Sequence, residues 1–258
     1  VGLDHIVKSF DDDLSFLNNK IKDMGKMTLD QLNFSIQSIV ERDAKLALKI
    51  IAADQDIDQL ERDIDTFAIR MIALRQPVAQ DLRHVISAIK VSSHIERIAD
   101  YASNIARRAI NLSEMPKGQA VHAITRMAKL AEEMIKDIIA AYIAGDDKKA
   151  LQVWERDSEI DEIYVGYLRE LLTYMLEDPR NIGPCSELLF VAKNIERIGD
   201  HTTNIAEMVH YFKQGTAFKD PRRKDAVRRE MAPKNSNSAT ASLKKKPAKK
   251  KPSSPSKK

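Results

Sequence analysis

The stretch from Val91 to Ala106, VSSHIERIADYASNIA, returns one hundred residues later, from Val191 to Ala206, as VAKNIERIGDHTTNIA, with nine of sixteen positions identical. Within it Ile95, Ile98, Ala102 and Ile105 recur at spacings of three and four, the apolar stripe of an amphipathic helix. Working outward, Asp54-Gln55-Asp56-Ile57-Asp58 matches Asp157-Ser158-Glu159-Ile160-Asp161 at an offset of 103, and Ala47-Leu48 matches Ala150-Leu151 at the same offset. The second stripe, Ile57, Leu60, Ile64, Phe67 and Met71, is again helical. The change of offset from 103 to 100 places three extra residues between the second and third helices of the first copy. The chain is therefore read as an internal repeat of a three-helix unit.

Breakers are few: Arg75-Gln76-Pro77, Met115-Pro116-Lys117-Gly118, Ala144-Gly145-Asp146, and Asp178-Pro179 through Gly183-Pro184, with a softer break at Glu41-Arg42-Asp43. They predict six long helices over 3–41, 43–75, 79–113, 119–144, 146–177 and 184–213. The expected fold is all-α, two tandem symmetric three-helix bundles, with aliphatic stripes packed at shallow crossing angles. The expected organisation is a first repeat over 1–113, a second over 114–213, and a disordered basic tail over 214–258.

Charge separates body from tail. From Lys219 to Lys258 fifteen Lys and Arg face three Asp and Glu, a surplus of twelve positive charges, so the overall +4 leaves the first 218 residues at −8. Five of the nine prolines lie in the tail, and its apolar residues are too scarce to offset the entropy of ordering. Aromatic residues make up 5% of the chain, which suits slender aliphatic cores better than a ring-lined pocket. Cys185 is the lone cysteine, which excludes an internal disulfide and a cysteine zinc cluster. No apolar run approaches the roughly 18 residues of a membrane span, so no membrane insertion is expected. The N-terminal segment, with Asp11-Asp12-Asp13, lacks the basic-then-apolar order of a signal peptide; the expected location is cytoplasmic.

Four Asp/Glu-x-x-x-Asp pairs stand at repeat-equivalent positions: Asp54 with Asp58, Glu96 with Asp100, Asp157 with Asp161, and Glu196 with Asp200. Residues i and i+4 share a helix face, where two like charges destabilise by roughly 0.2–0.5 kcal/mol unless a cation lies between them. At 100° per residue Glu96, Asp100 and Asn104 lie opposite the stripe of the third helix, and Asp54 and Asp58 flank that of the second. The acids are thus expected at the surface, beside an outer groove. Levels follow from the hairpin: Asp58 lies nineteen residues before Pro77 and Glu96 nineteen after, and Asp54 and Asp100 are likewise symmetric. In the second repeat Asp161 with Glu196, and Asp157 with Asp200, are symmetric about the Asp178–Pro179 bond. Each hairpin then brings four oxygen ligands to one height, a donor set suited to Mg, Mn, Fe or Ca. A single acidic pair is usually a solvated face, and Arg62, Arg97 and Arg197 offer ordinary ion pairs; four pairs at matched heights favour metal binding.

Other candidates are weaker. Glu207-x-x-His210 has the spacing of a di-iron helix, but such sites need two of these motifs in a bundle core. His84, His94 and His201 are expected in solvated or capping roles. Gly199 replaces Ala99 in mid-helix, which close packing explains. Trp154 and Tyr164 read as core. No P-loop, dinucleotide fingerprint or Gly-x-Ser-x-Gly is present.

The doubled Ile95-Glu96-Arg97-Ile98-Ala99-Asp100 and Ile195-Glu196-Arg197-Ile198-Gly199-Asp200, set in tandem three-helix repeats, resembles the PhoU family of phosphate transport system regulators over residues 3 to 213. The resemblance implies a pair of three-helix bundles with multinuclear metal clusters on their surface, here on Asp54, Asp58, Glu96, Asp100, Asp157, Asp161, Glu196 and Asp200, holding divalent or trivalent ions (Fe, Mn, Mg or Zn). It also implies a negative regulator of the phosphate-starvation response, an adaptor between the ATPase subunit of the phosphate ABC transporter and the sensor histidine kinase. The expected assembly is a homodimer. The rival reading is a helical oxidase or metal-storage protein of the di-iron carboxylate type, with core-facing acids. Lys244-Lys245-Lys246 and Lys249-Lys250-Lys251 suit non-specific contact with phosphates, without interleaved aromatics, so no specific nucleic acid is expected. No catalytic constellation is found, and the chain is read as a non-enzyme.

Overall fold

Punctuation residues set the ends of the helices. The computed structural model describes residues 2–115 and 121–218, with side chains from Phe10 onward. It contains α1 (Gly2–Glu41), α2 (Ala44–Arg75), α3 (Ala79–Ser113), α4 (His122–Ala144), α5 (Asp147–Glu177) and α6 (Ile182–Gln214), and no strand among the described residues. The expected start of α4 at 119, the loop at Pro116 and the tail beyond Phe218 lie outside the described residues. Asp43 caps α2 by accepting from the backbone N–H groups of Lys45 and Leu46, and Asp146 caps α5 by accepting from that of Lys149. Gln76 closes α2 and Gly145 closes α4 in the left-handed conformation. A single 3-10 turn, Pro179–Asn181, precedes α6, which begins at Ile182, two residues before the expected start at 184. Pro184 is tolerated there because N–H groups of a first helical turn have no intrahelical partner.

The apolar stripes read from sequence are the buried ones. Ile57, Ile64 and Met71 of α2 and Ile95, Ile98, Ala102 and Ile105 of α3 are buried, with Leu60 and Phe67 half-buried beside them. Central helices α3 and α6 pack on each other: α3 also meets α1 and α2, and α6 meets α4 and α5. Small residues are frequent among the buried positions of both central helices, Ser92, Ala99 and Ser103 on α3 and Ala192, Gly199 and Ala206 on α6. The outer helices α1 and α4 touch as well, so the two repeats form one unit through Phe218. Polar ties reinforce the seam: Glu187 of α6 accepts from Arg108 at 3.3 Å and from Asn111 at 3.2 Å. Arg42, with a left-handed φ of 59° at the α1–α2 turn, donates to the carbonyl of Leu112 near the end of α3. None of the helices of the described residues is long and apolar enough to cross a membrane.

Candidate metal centre

The antiparallel pairs α2–α3 and α5–α6 are hairpins whose register can be checked rung by rung. Glu61 and Ser93 lie sixteen residues either side of Pro77, and Ser93 is close enough to lower the Glu61 carboxyl. At the equivalent rung of the second hairpin the Lys193 ammonium sits over the Tyr164 ring, 5.4 Å from its centroid. One rung further from the turn come Asp58 with Glu96 and Asp161 with Glu196, and then Asp54 with Asp100 and Asp157 with Asp200.

In the first repeat Asp58, Glu61, Glu96 and Asp100 share one electrostatic neighbourhood. Glu96, half-buried, is pushed up to about 7, first by burial and then by the charge of Asp100, with Glu61 and Asp58 adding in the same direction and Arg97 opposing them. Glu61 is raised too, by burial and by Asp65 and Asp58, against the opposing influence of Ser93 and Arg97. Arg97 is the neutralising cation here, 3.1 Å from Asp100 and 3.6 Å from Glu96. Arg62 instead bonds Gln59 on its own helix. Asp54 is drawn toward α1, where Gln31 donates to it at 2.7 Å.

The second repeat is built differently. Lys193 stands 2.6 Å from Glu196. Asp200 is exposed as a residue, yet it is raised by the hydration it loses along the helix pair, then by Glu196 and Asp161; Lys193 and Arg197 act in the opposite direction. Arg197 itself lies over the Tyr101 ring, 5.7 Å from the centroid. Asp161 is exposed. Asp157 is 4% exposed, which corrects the expectation that all eight acids lie at the surface. The reason is Gly199: a Cβ there would come within 2.8 Å of Asp157 Oδ1, so the missing side chain makes room for the carboxylate. Close packing does account for Gly199, and its partner is an acid.

Two participants were not among the acids picked out by repetition, Glu61 and Lys193. Each sits one rung nearer the turn than a motif acid, which is the signal that would have found them. Neither recurs: the counterparts of Glu61 and Asp65 are Tyr164 and Leu168, and the counterpart of Lys193 is Ser93.

The donor chemistry fits a hard cation, since each face offers carboxylate oxygens from two helices in a field that holds Glu96 and Asp200 above their ordinary range. Among the described residues no group of three or more His, Cys, Asp or Glu side chains is gathered closely enough to hold an ion as it stands. Cation binding at these faces therefore requires carboxylates to rotate toward one another.

The histidines depart from expectation. The Nδ1 atoms of His94 and His201 lie 3.1 Å apart across the α3–α6 seam, both rings half-buried. His84 stacks on Phe212 with ring centroids 4.7 Å apart. These are packing roles, neither solvated nor capping. His210, the second member of the Glu207-x-x-His210 motif, pairs with Asp147 at 2.9 Å. Trp154 is buried and Tyr164 half-buried.

Comparison with known proteins follows the same division into repeats. A family model described as the PhoU domain matches residues 21–109 and 124–209, one segment in each repeat. The chain is 46% identical over 209 residues to the phosphate-specific transport system accessory protein PhoU homolog of Caulobacter vibrioides, covering 81% of this chain and 91% of that protein. It is 43% identical over 223 residues to the protein of the same description from Rhizobium meliloti, covering 86% and 94%. Among solved structures, PhoU from Pseudomonas aeruginosa superposes with a TM-score of 0.77 at 36% identity, over 80% of this chain and all (100%) of that one. The phosphate transport system regulatory protein PhoU from Streptococcus pneumoniae gives a TM-score of 0.76 at 26% identity, over 81% and 99%.

Proposed function

The chain belongs to the PhoU family, and from that membership we propose that it is a non-enzymatic negative regulator of the phosphate-starvation response, working in the cytoplasm as a metal-carrying adaptor. Its proposed partners are the ATPase subunit of the phosphate ABC transporter and the phosphate sensor histidine kinase. The relatives' description as accessory proteins of phosphate-specific transport supports the regulatory role. The observation that carries the metal part is the placement of Asp58 on α2 and of Glu96 and Asp100 on α3 at one level of the hairpin, with Asp58 and Asp100 both acting on the charge of Glu96.

Asp54, Asp58, Glu96 and Asp100 would hold a cation on the first hairpin, and Asp157, Asp161, Glu196 and Asp200 on the second. A bound divalent or trivalent ion supplies positive charge that offsets the mutual repulsion of these acids. The rest is done by the chain's own residues. Ile57, Ile64, Ile95 and Ile98, all buried, fix the two helices of the first hairpin against each other, so the acids of both are presented at one level. Arg97 restrains Glu96 and Asp100 from the solvent side. The di-iron oxidase reading needs carboxylates converging in a bundle core, and here seven of the eight motif acids are half-buried or exposed on the hairpin faces.

Elemental analysis of the full chain, purified without chelator and again after exposure to Fe, Mn, Mg or Zn, tests the metal part. Bound metal is expected in the wild type and near zero in the combined Glu96→Ala, Asp100→Ala, Glu196→Ala, Asp200→Ala variant. Equal metal content in the two proteins would remove the acids from the site.

A further inference from the structure

The two hairpin faces carry the same motif acids and differ on the rung next to them. On the first, that rung is Glu61 opposite Ser93, which adds a fifth carboxylate to Asp54, Asp58, Glu96 and Asp100. On the second it is Tyr164 under Lys193, which adds an ammonium group. That ammonium lies 2.6 Å from Glu196, its charge reaches Asp200, and the aromatic face beneath it favours a cation held in that position. A positive charge fixed among carboxylates does what a bound metal would do, and the two compete for the same oxygens.

We propose that Lys193 is the resident cation of the second hairpin face, so that metal is held preferentially at the first face, where Glu61 joins the motif acids. The inference rests on the metal-binding reading above and sharpens it: the two repeats are alike in fold and unequal as sites. Lys193 acts as a built-in occupant that a metal must displace, and Glu61 raises the negative charge and ligand count of the first face. Arg97 also meets Glu96 and Asp100 on the first face, but at 3.6 and 3.1 Å and from an exposed position, against 2.6 Å for Lys193 and Glu196. With Arg197 acting on Asp200 as well as Lys193, the second face carries one cation more and one carboxylate fewer.

The probe is Mn2+ added to the metal-stripped full chain, with affinity and stoichiometry read by calorimetry and bound Mn2+ by electron paramagnetic resonance. Wild type is expected to show a first site at least about ten times tighter than the second, a difference of about 1.4 kcal/mol. Glu96→Gln should remove the tight site and Glu196→Gln should leave it. Lys193→Ser, which installs the residue of the first repeat, should tighten the second site about tenfold or more without changing the first. Lys193→Arg should behave as wild type, and Glu61→Gln should weaken the first site alone. Helical circular dichroism confirms that each variant folds. Two sites of equal affinity in wild type, unchanged by Lys193→Ser, would overturn the inference while leaving metal binding intact. No Mn2+ bound by either wild type or Lys193→Ser would overturn metal binding itself, and the inference with it.

Discussion

His94 and His201 meet nitrogen to nitrogen, 3.1 Å between their Nδ1 atoms, at the seam where the third helix of one repeat packs on the third helix of the other. One ring must donate and the other accept, so the contact holds one proton and resists a second. Burial lowers both rings from the ordinary histidine value, His201 to about 4 with further help from His94, Arg97 and Arg197, and His94 with help from Lys90. Between the unfolded value near 6.5 and these lower folded values, the unfolded chain binds protons that the folded chain refuses. Stability is thus full above the unfolded value and falls as pH drops through that window. Exchanging each residue for its repeat counterpart, His94→Asn with His201→Tyr, should shrink the loss of melting temperature between pH 7.5 and pH 5 by about 2–4 °C, the shift given by ~1 kcal/mol in a body of this size. An unchanged loss would place the acid sensitivity elsewhere, with His84, half-buried and also lowered by burial, the next candidate.

Glu96 runs the other way. Its folded value of about 7 exceeds the ordinary 4.5, so its stabilising contribution is fully present below the unfolded value and is lost as pH rises through 7. In the metal-free chain Glu96→Gln should therefore raise the melting temperature at pH 8 and leave it nearly unchanged at pH 4. Thermal melts of stripped protein at the two pH values decide it, and equal effects at both would mean that the charge of Glu96 is not under strain.

Gly199 and Asp157 should be energetically coupled. Gly199→Ala brings a methyl group to 2.8 Å from Asp157 Oδ1 and 3.2 Å from Ile160 Cδ1. Overpacking of this kind costs about 1–3 kcal/mol, against a gain of up to ~1 kcal/mol in helix propensity. We expect net destabilisation of about 1 kcal/mol in wild type and stabilisation of several tenths in an Asp157→Ala background. A double-mutant cycle by urea unfolding measures the coupling directly. Additive effects would contradict the contact.

Much of this architecture was legible from sequence because long helices are punctuated by few residues. Gln76-Pro77, Gly145 and Asp178-Pro179 end helices where left-handed or proline-restricted backbone must occur, and repetition of the Glu96 and Glu196 motifs fixed the three-helix unit. The acids' rungs followed from counting around the turns. What escaped has a physical reason in each case. Glu61 and Lys193 distinguish the repeats, so a search for shared acids passes over them. Burial of Asp157 depends on a missing Cβ on a neighbouring helix, which periodicity within α5 does not encode. The His94–His201 contact joins non-equivalent positions 107 residues apart and exists only through packing of α3 on α6. Phe218 lies beyond Gly215, where the helical pattern stops, and still packs on the body, four residues past the boundary drawn at 214.

Phe218 is therefore expected to matter for stability. Its ring lies 5.1 Å from that of Trp154 and 5.4 Å from that of His210. Phe218→Ala should destabilise by about 1–2 kcal/mol, below the 3–5 kcal/mol of a fully buried phenylalanine because the residue is half-buried. A chain cut after Gln214 should show the same loss, and a cut after Phe218 should not. Equal melting temperatures for the two truncations would show that the contact adds nothing.

The regulatory role is tested most directly in the source organism, by measuring transcripts of phosphate-starvation genes in phosphate-rich medium with and without the gene for this chain. Its removal is predicted to leave those genes expressed despite abundant phosphate, and restoring the wild-type gene to silence them again. Normal silencing in the deletion strain would contradict the assignment of this protein as a negative regulator.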